Sequence, residues 1–254
     1  MRVYDGRIFH LEKHLERLQA SAHALDFKQV PSSEFVTQAL IQTLQTNNMR
    51  DGVHIRLTLT RGRKSPLVMH PRLNQFGCTL IIVAEWKPPV YPPAISLMTS
   101  SVRRNSPMHL DSKIHHNNLL NNILAKIEAN YAGADAGLML DSDGYVAEAN
   151  GVNVFCIRKG IVYTPHADYC LPGITRATVL ELCQQHQIPA VEKRLSLTEF
   201  YTADEVFTTG TMGELTRVVT IDGRAIINRS GKMVLDTIST YFKQLTETEG
   251  IPIP

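Results

Sequence analysis

Residues 148–176 read EANGVNVFCIRKGIVYTPHADYCLPGITR, and their order decides the fold class. A glutamate closes the apolar run YVAEA, two short apolar segments follow on either side of the turn signal Arg158-Lys159-Gly160, and Leu171-Pro172-Gly173 then leads into a helical pattern. Short strands joined by tight turns and followed directly by a helix predict a sheet with helices packed on it. Upstream, DAGLML and the turn signal SDG add another strand of the same kind. Glu148 is the anomaly in the stretch. A strand carboxylate facing solvent needs no explanation, whereas a buried one requires a cationic or N–H partner.

Composition narrows the classes. The chain has 254 residues, 43% of them hydrophobic, enough for a sizeable core in one large or two smaller domains. A net charge of +2, with no basic block longer than RGRK, argues against an electrostatically driven nucleic-acid binder. No apolar run approaches the roughly 20 residues that cross a bilayer, and MRVYDGRIFH lacks the apolar core of a signal peptide. Cys78, Cys156, Cys170 and Cys183 show no CxxC spacing, which suits a reduced cytoplasm better than a disulfide framework or a zinc site.

The chain reads as two parts. Leu11, Leu15, Leu18, Ala22 and Leu25 recur at helical spacing over 11–27, and a second helix is expected over 33–46. GVHIRLTLTRG alternates as a half-buried strand, and CTLIIVAEW reads as a buried one. The four prolines of EWKPPVYPPA forbid regular structure, which places a linker at 87–94 between a small domain at 1–86 and a larger one at 95–254. In the second part ISLMTSSVRR reads as a strand. The helix after Lys113 carries Leu120, Ile123, Leu124 and Ile127 as an i, i+3, i+4, i+7 stripe expected to be buried. DEVFTTGTMGELTRVVTIDGRAI gives two more strands around a glycine loop, and a last helix is expected over 234–245.

Several segments carry candidate chemistry. In LPGITRATV, Gly173 permits a tight turn and the N–H groups of Ile174 and Thr175 open a helix, a ready anion site. TTGTMGEL offers the hydroxyls of Thr208, Thr209 and Thr211 around Gly210. LDSKIHHNNLLNN, 110–122, holds Lys113 beside His115 and His116. Adjacent histidines on a helix point about 100° apart, so a polar entry to the helix is preferred to a metal pair, and no metal is expected. A lysine, a two-loop anion cradle and a carboxylate in need of a protonated nitrogen form the inventory that pyridoxal 5'-phosphate demands, with an amine for its aldehyde, donors for its phosphate and an acid for its ring nitrogen.

The stretch 148–176 also resembles the signature of the class IV (fold type IV) pyridoxal-phosphate aminotransferases, which include branched-chain and D-amino acid aminotransferases and aminodeoxychorismate lyase. ADEVFTTGTMGELTRVVTIDGR and GRIFHLEKHLERL extend the likeness over nearly the whole chain, with departures at Asn150, where a small residue is usual, and Arg217, where proline is usual. The resemblance implies an α/β fold of α+β type in two domains, a small N-terminal α+β domain and a larger C-terminal domain of barrel-like sheet with flanking helices, with the cofactor between them. It implies that Arg17, Ile174, Thr175 and Thr211 hold the phosphate, that Glu148 faces the ring nitrogen, and that Gly210, Thr211 and Met212 lie near the substrate carboxylate. Arg56 matches an arginine that branched-chain-type members place near the substrate.

The family's catalytic lysine lies three or four residues ahead of the asparagine aligned with Asn118. Those slots hold His115 and Ile114, and Lys113 is five ahead. Lys113 is expected to serve if the loop absorbs the extra residues in a bulge; otherwise His115 takes the slot. The implied activity is transamination of branched-chain or similar hydrophobic L-amino acids with 2-oxoglutarate, in a cytoplasmic homodimer. The alternatives are lyase or D-amino acid aminotransferase chemistry, or a catalytically silent relative that binds the cofactor. Members also carry a strand and a pocket-lining loop ahead of the equivalent of RVYDG, so for a chain that starts at Met1 the expectation is either a truncated start or an open pocket.

Overall fold

The computed structural model describes residues 1–66 and 68–254. The chain divides into two compact units, Met1–Pro88 with Thr246–Pro254, and Pro89–Leu245.

In the first unit β1 (Arg2–Tyr4), β2 (Arg7–Ile8), β3 (Val53–Thr60), β4 (Thr79–Trp86) and the C-terminal strand Ile251–Pro252 form one sheet, with the C-terminal strand outside β2 and β4 at the other edge. Helices α1 (Leu11–Ala24) and α2 (Ser33–Thr46) supply Leu11, Leu15, Val36, Leu40 and Leu44 to a core with Val3, Ile8, Val53 and Ile55. The first helix stops short of the expected Phe27 because Asp26 turns into the left-handed region (φ 52°), where Phe27 N–H closes back onto the Ala22 carbonyl at 2.9 Å. The second helix starts where Ser32 Oγ accepts from Phe35 N–H at 3.2 Å. No sequence signal announces that the tail returns here: Ile253 is buried in this core, and Arg50 donates to the carbonyls of Ile253 and Pro254 at 2.7 Å each. CTLIIVAEW was expected to be buried, yet β4 alternates. Leu80, Ile82 and Ala84 pack on the core, while Ile81 and Val83 are nearly half exposed, because the helices cover only one face of this sheet.

The second unit holds β5 (Ala94–Thr99), α3 (Leu120–Tyr131), β6 (Ala136–Leu140), β7 (Val146–Ala149), β8 (Asn153–Arg158), β9 (Ile161–Thr164), α4 (Ile174–Gln185), β10 (Ala190–Glu192), α5 (Leu197–Tyr201), β11 (Glu205–Gly210), β12 (Glu214–Ile221), β13 (Arg224–Ala225) and α6 (Val234–Thr248), the last running into the first unit's tail. Its sheet runs β10-β9-β8-β11-β12-β5-β6-β7, with β13 on β12. The sheet curls until β7 at its end meets β8 in its middle, where Ala149 N–H donates to the Val152 carbonyl at 2.9 Å. Both faces are buried, and β8 shows the division. Val154 and Cys156 point into the curl with Leu138, Phe200 and Val206, whereas Phe155 and Ile157 point outward under α4 and α6 with Phe207, Val179 and Ile238. This two-domain α/β architecture matches the sequence expectation, including its barrel-like larger sheet.

Helix α3 departs from expectation. Its stripe of Leu120, Ile123, Leu124 and Ile127 is exposed, and the helix packs on the sheet through Asn122, Ala125 and Ala129 instead. The small side chains let the helix lie close: a Cβ added at Gly137 of β6 would stand 2.6 Å from the Ala125 carbonyl oxygen. All four cysteines are free. Among the described residues no helix is long and apolar enough to cross a membrane, and no cluster of His, Cys, Asp or Glu could hold a metal ion. Gly137→Ala should therefore push α3 off the sheet and destabilise the chain by about 1–3 kcal/mol in urea denaturation; an unchanged midpoint would show that the helix is not seated this closely.

Candidate active site

Glu148 is the next-to-last residue of β7, and with its neighbours it is wholly enclosed, at 6% exposure. Its Oε1 meets Arg104 Nη2 at 2.9 Å, and its Oε2 accepts from Asn153 Nδ2 at 3.0 Å. Arg104, 7% exposed, is itself held. Its Nη1 donates to Asn122 Oδ1 at 2.8 Å and its Nε to the Tyr169 carbonyl at 3.3 Å. Asn122 in turn donates to the Asn150 carbonyl at 2.9 Å. Asn150, the residue that departs from the family's small side chain, accepts from Gly137 N–H at 2.9 Å and so pins the β7–β8 turn to β6. The cationic and N–H partners that a buried strand carboxylate needs are thus both present.

Asn153 carries the network to the turn that leads into α4. The same Nδ2 donates to the Leu171 carbonyl at 2.9 Å, and its Oδ1 lies where a Cβ on Gly173 would fall, 2.0 Å away. Gly173 itself has φ −66° and ψ 140°, a conformation open to any residue. The sequence alone assigns this glycine to a tight turn, but the structure needs it for the close approach of Asn153. The first hydrogen bond of α4 runs from Ala177 N–H to the Gly173 carbonyl at 2.9 Å, so the N–H groups of Ile174, Thr175 and Arg176 lie ahead of the helical ladder at the positive end of the helix. Thr175 is buried there, and Arg176 is anchored by the Pro165 carbonyl at 2.7 Å and by Glu192.

The other loop is built on β11. Thr209 pairs across the ladder with Asn153, and its buried hydroxyl has no hydrogen-bond partner among the described residues. Gly210 ends the strand, where a Cβ would press on Val152 Cγ1 at 2.8 Å, and Thr211 and Met212 form the turn beyond. Arg217, on β12 where the family has proline, bonds Glu205 Oε2 at 3.0 Å and Asp236 Oδ1 at 2.6 Å and joins the strand to α6.

Burial pushes the Glu148 carboxyl up to about 7, against the pull of Arg104, of the hydrogen bond at Leu171 and of Arg176. Cys170, buried nearby, is pushed up to about 12, first by burial and then by the charge of Glu148. His116 is held below the ordinary imidazole value by partial burial and by Arg104, and its Nδ1 accepts from Asn118 N–H at 3.2 Å. Lys113 sits exposed in the loop before α3, its backbone N–H on Asp111 Oδ1 at 2.9 Å, and His115 is exposed beside it. Lys126 is committed elsewhere, to the Asp135 carbonyl at 2.6 Å.

The structure thus gathers Glu148, the start of α4 and the end of β11 around Asn153. Arg17 and Arg56 stand in the first unit. Arg17 on α1 has a buried Nε without an acceptor among the described residues and is lowered to about 10 by desolvation, while Arg56 on β3 is exposed opposite Val83. Sequence reading missed Arg104, Asn122 and the role of Asn153. The usable signal was a polar residue set in an apolar run, as Asn153 is at the head of NVFCI; Arg104, one of two adjacent arginines, gave none.

This fold and this arrangement belong to a known class. The family model for class IV amino-transferases matches residues 1–221, and the chain belongs to that family. Branched-chain-amino-acid aminotransferase-like protein 1 of Arabidopsis thaliana is 58% identical over the whole of this chain, which spans only 46% of that relative, about half its length. A putative branched-chain-amino-acid aminotransferase of Methanocaldococcus jannaschii is 37% identical, with 100% of this chain and 88% of that protein covered. Among solved structures, a T.th. branched-chain amino acid aminotransferase complexed with N-(5'-phosphopyridoxyl)-L-glutamate superposes with a TM-score of 0.88 at 31% identity, over 97% of this chain and 82% of that one. The branched-chain enzyme of Escherichia coli gives 0.88 at 30%, over 98% and 84%.

The pH dependence of the ion pair can be tested by stability. Because the folded carboxyl lies above its ordinary value of 4.5, its contribution is fully present below that value and is lost as pH rises through about 7. Arg104→Met removes the cation that opposes burial. It should cost about 3–5 kcal/mol in denaturant titrations at pH 8, and clearly less at pH 6, where Glu148 can take up a proton. An equal loss at both pH values would mean that the two side chains are not coupled.

Proposed function

We propose that this chain binds pyridoxal 5'-phosphate and transfers amino groups between amino acids and 2-oxo acids, with branched-chain or similar hydrophobic L-amino acids as donors and 2-oxoglutarate as acceptor. The observation that carries the reading is Glu148, a buried carboxylate fixed by Arg104 and Asn153, with Asn153 also setting the turn into α4. The residues present suit the cofactor. An enclosed carboxylate can hold a proton at a ring nitrogen. The N–H groups of Ile174 and Thr175 and the Thr211 hydroxyl suit a phosphate. Gly210, Thr211 and Met212 offer backbone groups to a substrate carboxylate.

When bound, the cofactor supplies an electron-withdrawing ring that acidifies the substrate's α C–H bond and stores the amino group between the two half-reactions. The chain's own part is to position and to move protons. Arg104 opposes the effect of burial on Glu148, which would face the ring nitrogen; the start of α4 would hold the phosphate end, and Lys113 would carry the proton at the α-carbon. Four free cysteines, three of them buried, suit a reducing compartment such as the cytoplasm. A homodimer is part of the same reading.

A second reading has its own observation. The cations acting on Glu148 are Arg104 and Arg176, Arg104 also acts on the His116 imidazole, and Lys113 is exposed. On that reading the chain binds the cofactor without covalent attachment and does not turn over amino acids. Borohydride treatment of the protein saturated with pyridoxal phosphate, followed by peptide mapping, separates the two. A phosphopyridoxyl label on the peptide containing Lys113, lost in Lys113→Ala, is the expected result. Saturable binding with no label on any lysine would establish the silent reading instead.

A further inference from the structure

Of the 15 glycines, Gly151 is the one that the fold does not require. Ten of the others have positive φ, and at Gly137, Gly173, Gly210 and Gly213 an added Cβ would stand 2.8 Å or less from a neighbouring atom. Gly151 has neither constraint, and a Cβ there would meet nothing within 4 Å. It follows Asn150 in the only Asn-Gly pair of the sequence, at the turn between β7 and β8. Such a pair ordinarily serves a two-residue hairpin turn in which both residues have positive φ. Neither Asn150 nor Gly151 does here, so backbone geometry does not account for the dipeptide.

Its chemistry does. The backbone nitrogen that follows an asparagine lies five atoms round a ring from the side-chain carbonyl carbon, and glycine leaves that nitrogen unshielded. Three observations favour their reaction in this turn. Gly151 is exposed, and its N–H donates no hydrogen bond among the described residues. The Asn150 Oδ1 accepts from the Gly137 N–H at 2.9 Å, which draws electrons from Cγ and supports negative charge on that oxygen. The departing group, Asn150 Nδ2, is held by no hydrogen bond among the described residues.

We infer that Asn150–Gly151 is a self-modification site, at which the turn beside Glu148 converts itself from amide to acid. The Gly151 nitrogen gives its proton to hydroxide and bonds to Asn150 Cγ. The Cγ–Nδ2 bond breaks, and the amine takes a proton from water and leaves as ammonia. A second water opens the cyclic imide, at Cγ to give an aspartyl residue or at the Asn150 main-chain carbon to give an isoaspartyl one. No electrons change hands and no cofactor takes part. The isoaspartyl product routes the chain through Cβ, and the main-chain carbonyl that accepts from Asn122 at 2.9 Å becomes a free carboxylate. Because Asn122 also accepts from Arg104 at 2.8 Å, the change reaches the partner of Glu148.

Peptide mass spectrometry on the intact folded chain, incubated at mildly alkaline and at mildly acidic pH, reads the conversion. The peptide holding Asn150 should exchange the mass of an amide for that of an acid, appear as two isomers, and do so faster at alkaline pH. Hydroxylamine, which cleaves cyclic imides, should cut the chain between Asn150 and Gly151. Gly151→Ala should slow the conversion at least tenfold and leave the urea midpoint unchanged, since its Cβ has open space. The parent chain decides the matter even if that variant misfolds. An Asn150 that stays an amide in the folded chain, over a period in which the same chain converts in urea, would overturn the inference. Conversion of another asparagine ahead of Asn150, or an equal rate in a folded Gly151→Ala variant, would overturn it as well.

Discussion

The buried contact of Arg104 with Glu148 is the constraint around which the larger unit is arranged. Two charges taken out of water are tolerable only when every remaining donor and acceptor is met. Here each requirement recruits a different segment. The guanidinium draws in the loop after β5, Asn122 brings α3, the Tyr169 carbonyl fixes the strand exit ahead of α4, and Asn153 brings β8. Because Asn153 also bonds Leu171 and fills the space over Gly173, the carboxylate and the first turn of α4 cannot shift independently. The carboxylate and the first turn of α4 gain a fixed span from this single asparagine.

The scaffold makes that rigidity available. A sheet buried on both faces, with Phe155 and Phe207 stacked at 4.8 Å on one side and Val154, Cys156 and Val206 on the other, leaves its strands little freedom to slide. Close approaches at Gly137, Gly173 and Gly210 let backbone and side chains meet where any larger residue would intrude. The same enclosure raises the cost of the Glu148 charge, which is why its proton affinity stands well above that of an ordinary carboxylate despite an arginine at hydrogen-bond distance.

The strands and helices were legible from period and turn signals, because VNVFCIR and ELTRVVTI alternate and ITRATVLELCQQ does not, while the barrel-like larger domain came from the family resemblance. The chemistry of Glu148 was legible because a carboxylate in an apolar run must find a partner, although nothing in the sequence said that the partner would be Arg104, 44 positions earlier. Periodicity misled at α3 and β4 for a shared reason. It reports that a face is apolar but not what covers it, and in both elements the chain's own core lies on the opposite side. Gly173 shows a different limit: the residue was read correctly as special, but the reason was a side chain 20 positions away rather than its own backbone angles. The return of Ile253 to the first unit's core rests on a strand of two residues, too short to leave any periodic trace.

The arrangement of the larger unit turns most directly on the ionisation of Glu148 in the folded chain. A pH titration of its carboxyl carbon by ¹³C NMR, with the Glu148→Gln variant to assign the signal, measures this without cofactor or substrate. The enclosed ion pair described above gives a midpoint near 7; a midpoint at or below the ordinary value of 4.5 would mean that burial does not set the ionisation of Glu148 and that its charge carries no cost in the folded chain.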